Sequence, residues 1–150
     1  MHLPAAEVSV VIEELTRVLL RQVAPVRGLS LTAAATLARL DRDGPARLTE
    51  LAASEGVSQP AMSQLVNRLQ ELGLAERRPD PDDGRVVLVH VTDDGRAQVA
   101  HRRAVRAERL AALLDRLGDD DRRALADALP ALTALTRLAA EPPENTRSEP

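Results

Sequence analysis

Phenylalanine, tyrosine, tryptophan, cysteine and lysine are all missing from this chain of 150 residues. Without aromatic rings the core must be built from Leu, Val and Ala, and no nucleic-acid base can stack on an aromatic platform. That argues against single-strand readers, which depend on such stacking. Without cysteine there is no structural disulfide, thiolate metal site or cysteine redox sensor. All twenty basic residues are therefore arginine. Arginine offers a planar fork to phosphates or guanine edges, although compositional bias accounts for the count equally well. Long apolar runs are also lacking. The N-terminal one is broken by Glu7, Glu13, Glu14 and Arg17, so it reads as neither a secretory leader nor a membrane span. The expected setting is the cytoplasm, with no membrane partner.

What is present suits a packed protein. The composition is 44% hydrophobic and 29% charged, enough apolar material for a core and too much for wholesale disorder. The length fits one domain or a compact domain with extensions. A formal net charge of −3 does not announce a nucleic-acid binder, yet phosphate contact needs only a local basic patch.

Apolar residues at Val8, Val11, Ile12, Leu15, Val18 and Leu19 recur in steps of three and four. They predict a helix over residues 6–24, ended by Pro25 and Gly28. Ser30 or Thr32 can cap a second helix with Leu37 and Leu40 facing inward, stopped at Gly44-Pro45. A short third helix over residues 47–55 carries Leu48, Leu51 and Ala52, and Gly56 marks the turn after it. Ser58 caps a fourth helix, with Pro60 in its first turn and Gly73 just past its end. Its inner face is Met62, Leu65, Val66, Leu69 and Leu72.

Two strands, 75–78 and 86–91, flank the turn-rich PDPDDG. Thr92 caps a fifth helix reaching about Leu117, with Asp93 and Asp94 at the positive end of its dipole. A row of small residues on it, Ala100, Ala104, Ala107 and Ala111, suits a close helix–helix seam. A sixth helix starts at Asp119 or Asp120, aligns Leu125, Leu129, Leu132 and Leu135, and is kinked at Pro130. Residues 141–150 read as a disordered tail. The fold class is mainly α, an α+β winged helix: a helix-turn-helix with a two-stranded wing.

Residues 48–92 carry the chemistry. Ala52 stands four residues before Gly56, and Val57, Met62 and Leu65 follow at the spacing that closes a small core over a helix-turn-helix bend. From 57 to 70 there is no acidic residue, in a chain where acids outnumber bases; an ordinary solvated helix would carry mixed charge. Gln59, Pro60, Ser63, Gln64, Asn67 and Arg68 form the outward face. Gln59, Gln64 and Asn67 can each present a donor–acceptor pair to adenine, and Arg68 can reach guanine or phosphate. Ser58, Ser63 and the helix N-terminus can hold phosphate. At the wing, Arg77, Arg78 and Arg85 surround Asp80, Asp82 and Asp83. Arg85 is the candidate for the minor groove, with Asp82 or Asp83 bracing its guanidinium.

The stretch LTELAASEGVSQPAMSQLVNRLQELGLAERRPDPDDGRVVLVHVTDDG resembles the MarR family of bacterial transcriptional regulators. Its most specific part is Asp83-Gly84-Arg85, then six residues, then Thr92-x-x-Gly95, after Gly73-Leu74 and Arg77-Arg78. Gly84 stands where the family usually has a basic residue, Ala75 is smaller than the usual aliphatic residue, and the lack of aromatics is a further departure. The resemblance implies a homodimer joined by helices in residues 1–28 and 96–140, with the DNA-binding domain over 29–95. Two recognition helices would enter successive major grooves of a pseudo-palindromic operator, about 34–36 Å apart. It also implies repression by promoter occlusion, as in stress-response regulators. Release would come from a small organic effector bound between the dimer helices and the DNA lobe.

Rival readings are weaker. Arg17, Arg21 and Arg39 could meet an anionic effector, but lone arginines on amphipathic helices are mostly solvated or in surface ion pairs. No nucleophile turn or phosphate loop suggests an enzyme. His2, His90 and His101 have no metal-ligand spacing, so no metal or cofactor is expected, though a metal-responsive regulator of this fold is an alternative. A winged helix serving only as a protein-interaction scaffold is another, and the acid-free face argues against it.

Overall fold

A computed structural model of the chain describes residues 4–22 and 28–140. Pro25, His2 and the 141–150 tail lie outside the described residues. The elements follow the order α1 (Ala5–Gln22), α2 (Leu31–Asp43), β1 (Ala46–Arg47), α3 (Leu48–Ser54) and α4 (Gln59–Glu71). Then come β2 (Ala75–Pro79), β3 (Val87–Val91), α5 (Asp93–Leu114) and α6 (Asp119–Ala140). The chain divides into two compact units, Met1–Arg109 and Leu110–Pro150.

In the first unit every fully buried apolar side chain lies between Leu29 and Val99. Leu37 and Leu40 of α2, Leu51 of α3 and Met62, Val66 and Leu69 of α4 meet Val89 and Val91 of β3 in one core. The core is aliphatic throughout, with Leu37, Leu40, Leu51, Met62, Val66, Leu69 and Val89 all under 2% exposed. Ser30 caps α2, its Oγ accepting from the Ala33 N–H at 3.1 Å. Arg39 ties α2 to α3, donating to the Glu50 carbonyl at 3.0 Å and to Ser54 Oγ. It is thus engaged in the fold, and Arg17 pairs with Glu13.

The sheet has three strands where the sequence suggests two. Its order is β1-β3-β2, all antiparallel. β1 is only two residues long, too short to show alternation, and it sits where the third helix was expected to begin. Ala46 is buried opposite Val89, and Arg47 precedes α3 with its backbone N–H held by Glu50 Oε2 at 2.9 Å.

α1 places Val11, Ile12, Leu15 and Val18 on its surface, with Leu15 52% exposed. In the second unit α6 runs through Pro130, whose missing N–H costs one intrahelical bond without ending the helix. Its leucine row, Leu125, Leu129, Leu132 and Leu135, is exposed, Leu129 by 60%. The alanine row of α5 is also solvent-facing. Among the described residues no helix is long and apolar enough to cross a membrane.

Candidate nucleic-acid interface

The bend before α4 is built by backbone geometry. Gly56 takes φ 63, and the Val57 N–H donates to the carbonyl of buried Ala52 at 3.0 Å. A side chain larger than Ala52 would push α3 off α4. Ser58 then caps α4, its Oγ accepting from the Ala61 N–H at 3.3 Å, with Pro60 in the first turn. That leaves the Ser58 hydroxyl hydrogen free to donate. Met62, Val66 and Leu69 lock the inner face. Gln59, Pro60, Gln64, Asn67 and Arg68 are exposed on the other side, and Ser63 is half-buried. Leu65 and Leu72, expected on the inner face, are only partly covered.

α4 ends in a Schellman arrangement. Gly73 adopts φ 71, its N–H meets the Gln70 carbonyl at 2.9 Å, and the Leu74 N–H meets the Leu69 carbonyl at 2.9 Å. The chain turns straight into β2, so helix and wing are separated by three residues and share one rigid corner.

The wing arginines differ in their partners. Arg78 pairs with Glu76, and Arg68 on the helix pairs with Glu71 at 3.0 Å. Both pairs are solvent-exposed and hold their arginines weakly, so phosphate can replace the carboxylate. Arg77 is not directed outward. Its Nη1 donates to Asn67 Oδ1 at 2.7 Å and to Gln70 Oε1, which pins β2 onto α4. The signal was present in the sequence as strand alternation: Arg77 shares a face with buried Ala75, while Arg78 takes the opposite one.

Arg85 is exposed at the tip, and among the described residues no carboxylate pairs with its guanidinium. The expected brace by Asp82 or Asp83 takes a different form. Asp83 Oδ1 accepts from the Arg85 backbone N–H at 3.1 Å, and Asp80 Oδ1 accepts from the Asp82 N–H at 2.9 Å. These are Asx turns, in which a short carboxylate finds the backbone two residues on before it can reach a long side chain. The aspartates shape the tip and leave the Arg85 guanidinium free.

A second feature lies between α2 and α5. A cavity of about 260 Å³ is lined by Leu31, Ala34, Ala35, Leu37, Ala38, Val99, Arg102, Arg103 and Arg106. Arg103 is held by Asp41 at 3.1 Å. Arg102 is buried and its Nη1 has no hydrogen-bond partner. Burial holds its pKa below the ordinary arginine value, with the Arg106 charge adding to the effect. Nothing in the sequence distinguishes Arg102 from its neighbours in the run of arginines. Among the described residues no cluster of three or more His, Asp or Glu could hold a metal ion.

Residues 27–86 match the model of the MarR family. An HTH-type transcriptional regulator of Mycobacterium tuberculosis is 34% identical over 131 residues, covering 87% of this chain and 91% of that protein. The chain belongs to the MarR family. A relative from Mycobacterium leprae, also named an HTH-type transcriptional regulator, is 34% identical over 83% of this chain and 86% of its own length. Among solved structures, RV1404 from Mycobacterium tuberculosis superposes with a TM-score of 0.79 at 26% identity, covering 96% of this chain and 99% of that one. A MarR family protein from Bacillus stearothermophilus shares the fold with a TM-score of 0.73 at 19% identity, covering 89% and 95%.

The MarR-like Thr92-x-x-Gly95 motif has a physical account here. The Thr92 hydroxyl donates to the Gly73 carbonyl at 2.6 Å and accepts from the Gly95 N–H at 3.0 Å. One side chain thus closes the end of α4 and starts α5. A Cβ on Gly95 would lie 2.1 Å from the Leu74 carbonyl oxygen and 2.7 Å from Val91 Cγ2. Only glycine lets α5 approach that corner.

Proposed function

We propose that this MarR-family protein is a homodimeric repressor that binds a pseudo-palindromic operator and is released by a small organic anion. The observation that carries the DNA reading is the pairing of an exposed α4 face, free of acidic residues up to Gln70, with Arg85 at the tip of the adjoining wing, whose guanidinium no carboxylate among the described residues holds. Helix α4 has the dimensions and donor chemistry of a major-groove reader, and an arginine on a turn beside it can enter the minor groove, where negative potential is concentrated. The homodimer is supported by the exposed apolar rows on α1 and on α6, since such rows mark protein–protein contact. Repression follows from steric occlusion of a promoter by such a dimer.

The cavity beside Arg102 supports the effector class. Its wall is aliphatic, and its polar element is a buried guanidinium with an unused donor. A small carboxylate with an apolar body matches both. Because the wall has no aromatic side chain, recognition of the ligand body would rest on shape and apolar contact.

Gel shift with double-stranded DNA from the region upstream of the protein's own gene tests the reading. Replacing Arg85 with Ala should weaken binding about tenfold or more. Unchanged affinity would remove Arg85 from the interface, and absence of any wild-type shift would refute the regulator assignment.

A further inference from the structure

Two carboxamides on α4 face a guanidinium, and that contact decides which way round they are. The Arg77 guanidinium donates to Asn67 and to Gln70. Guanidinium has five N–H donors and no acceptor, so the atom each amide turns toward it must be the oxygen. The Asn67 NH2 group therefore points away from Arg77. Asn67 is exposed, one helical turn from both Ser63 and Gln64 on the outward face. Sequence alone leaves Asn67 free to offer a donor–acceptor pair, the pattern that recognises adenine. In the structure its oxygen is turned toward Arg77, which takes one of its two lone pairs and sets a positive charge beside it.

We propose that Arg77 is a positioning residue for specificity: by holding the Asn67 oxygen, it turns the Asn67 NH2 toward the groove, where it selects the O6 of guanine or the O4 of thymine over the N6 of adenine or the N4 of cytosine at one position of each half-site. The inference rests on the DNA-binding reading above. In the major groove guanine O6 and thymine O4 are acceptors, whereas adenine N6 and cytosine N4 at the corresponding positions are donors that would oppose the Asn67 NH2; N7 accepts in both purines and does not discriminate between them. The cation behind the amide also polarises its N–H bonds, which strengthens them as donors. Gln70, half-buried and nearer the helix end, completes the clamp without reaching the groove face. Arg77 thus acts through Asn67 and contacts no base itself.

The test is a comparison of base preference among variants. Wild-type protein, Arg77→Met, Arg77→Lys and Asn67→Asp are each used to select sites from a randomised double-stranded pool. Affinities are then measured for the four bases at the discriminated position. The expected wild-type discrimination is on the order of tenfold. It should fall to near unity in Arg77→Met, which releases the amide, and be retained in Arg77→Lys, which keeps a cationic donor. Asn67→Asp keeps a partner for Arg77, and so the wing–helix contact, but has no donor; it should lose the guanine or thymine preference while remaining folded. If Arg77→Met weakens binding equally for all four bases and lowers the salt dependence, Arg77 is a phosphate contact and the proposal is overturned. Preference retained in Asn67→Asp overturns it as well. Wild-type protein that binds no double-stranded DNA would instead overturn the regulator reading, and this inference with it.

Discussion

At the scale of single residues, the corner where α4, β2 and α5 meet is the least forgiving part of the molecule. Gly95 packs its α-carbon against the Leu74 carbonyl, and a methyl group there would overlap a backbone oxygen. Gly95→Ala should lower stability by about 3 kcal/mol, the upper end of overpacking costs. That corresponds to a melting temperature lower by roughly 10 °C in a chain of this size, read by circular dichroism. Arg102 makes the opposite case. A buried guanidinium whose Nη1 has no hydrogen-bond partner is a liability, so Arg102→Met should raise stability by about 1–3 kcal/mol. The same change should abolish any thermal shift produced by small carboxylates such as benzoate. A lower melting temperature in Arg102→Met would mean that the guanidinium is satisfied in solution. These residues were unevenly legible. Thr92 and Gly95 stand out in the sequence as a motif, but the reason for the glycine, the Leu74 carbonyl, exists only in three dimensions. Arg77 and Arg78 are adjacent and chemically identical, and only strand alternation separates the one that clamps Asn67 from the one that faces solvent.

At the scale of elements, caps and turns are local and were therefore readable. Ser30, Ser58 and Gly73 act at the helix ends where their chemistry places them. The two wing strands fall within a residue of the expected limits. β1 escaped because two residues carry no periodicity and its pairing partner lies some forty residues away. The wing tip was misjudged for a related reason. Asp82 or Asp83 is the expected brace for the Arg85 guanidinium, whereas the Arg85 backbone N–H offers Asp83 a nearer donor. The junction between α4 and wing is testable through Thr92, whose hydroxyl serves two backbone groups at once. Thr92→Val keeps the shape and leaves both unsatisfied. A loss of about 2 kcal/mol is expected in urea unfolding, with DNA affinity per folded molecule reduced because helix and wing no longer share a fixed corner. Stability equal to wild type would show that water replaces both bonds.

At the scale of the whole molecule, the apolar rows of α1 and α6 are the features that the single chain leaves uncovered. Their spacing was plain in the sequence; their exposure was not, because a periodic stripe looks the same whether it packs on its own chain or another. Light scattering at micromolar concentration should show a dimer. Leu132→Glu, which places a charge in the α6 row, should shift it to monomer and weaken operator binding by well over tenfold, since one copy then binds without its partner. A dimer that survives that substitution would place the interface elsewhere. The central claim remains that the α4 face and the Arg85 wing grip a DNA duplex, and counterion release tests it most directly. Affinity for labelled upstream duplex should be measured by fluorescence anisotropy between about 50 mM and about 200 mM salt. The account predicts a linear decline of log affinity with log salt, and a fall of roughly a thousandfold if the dimer makes about six phosphate contacts. No binding at the low-salt end, or an affinity indifferent to salt, would contradict it.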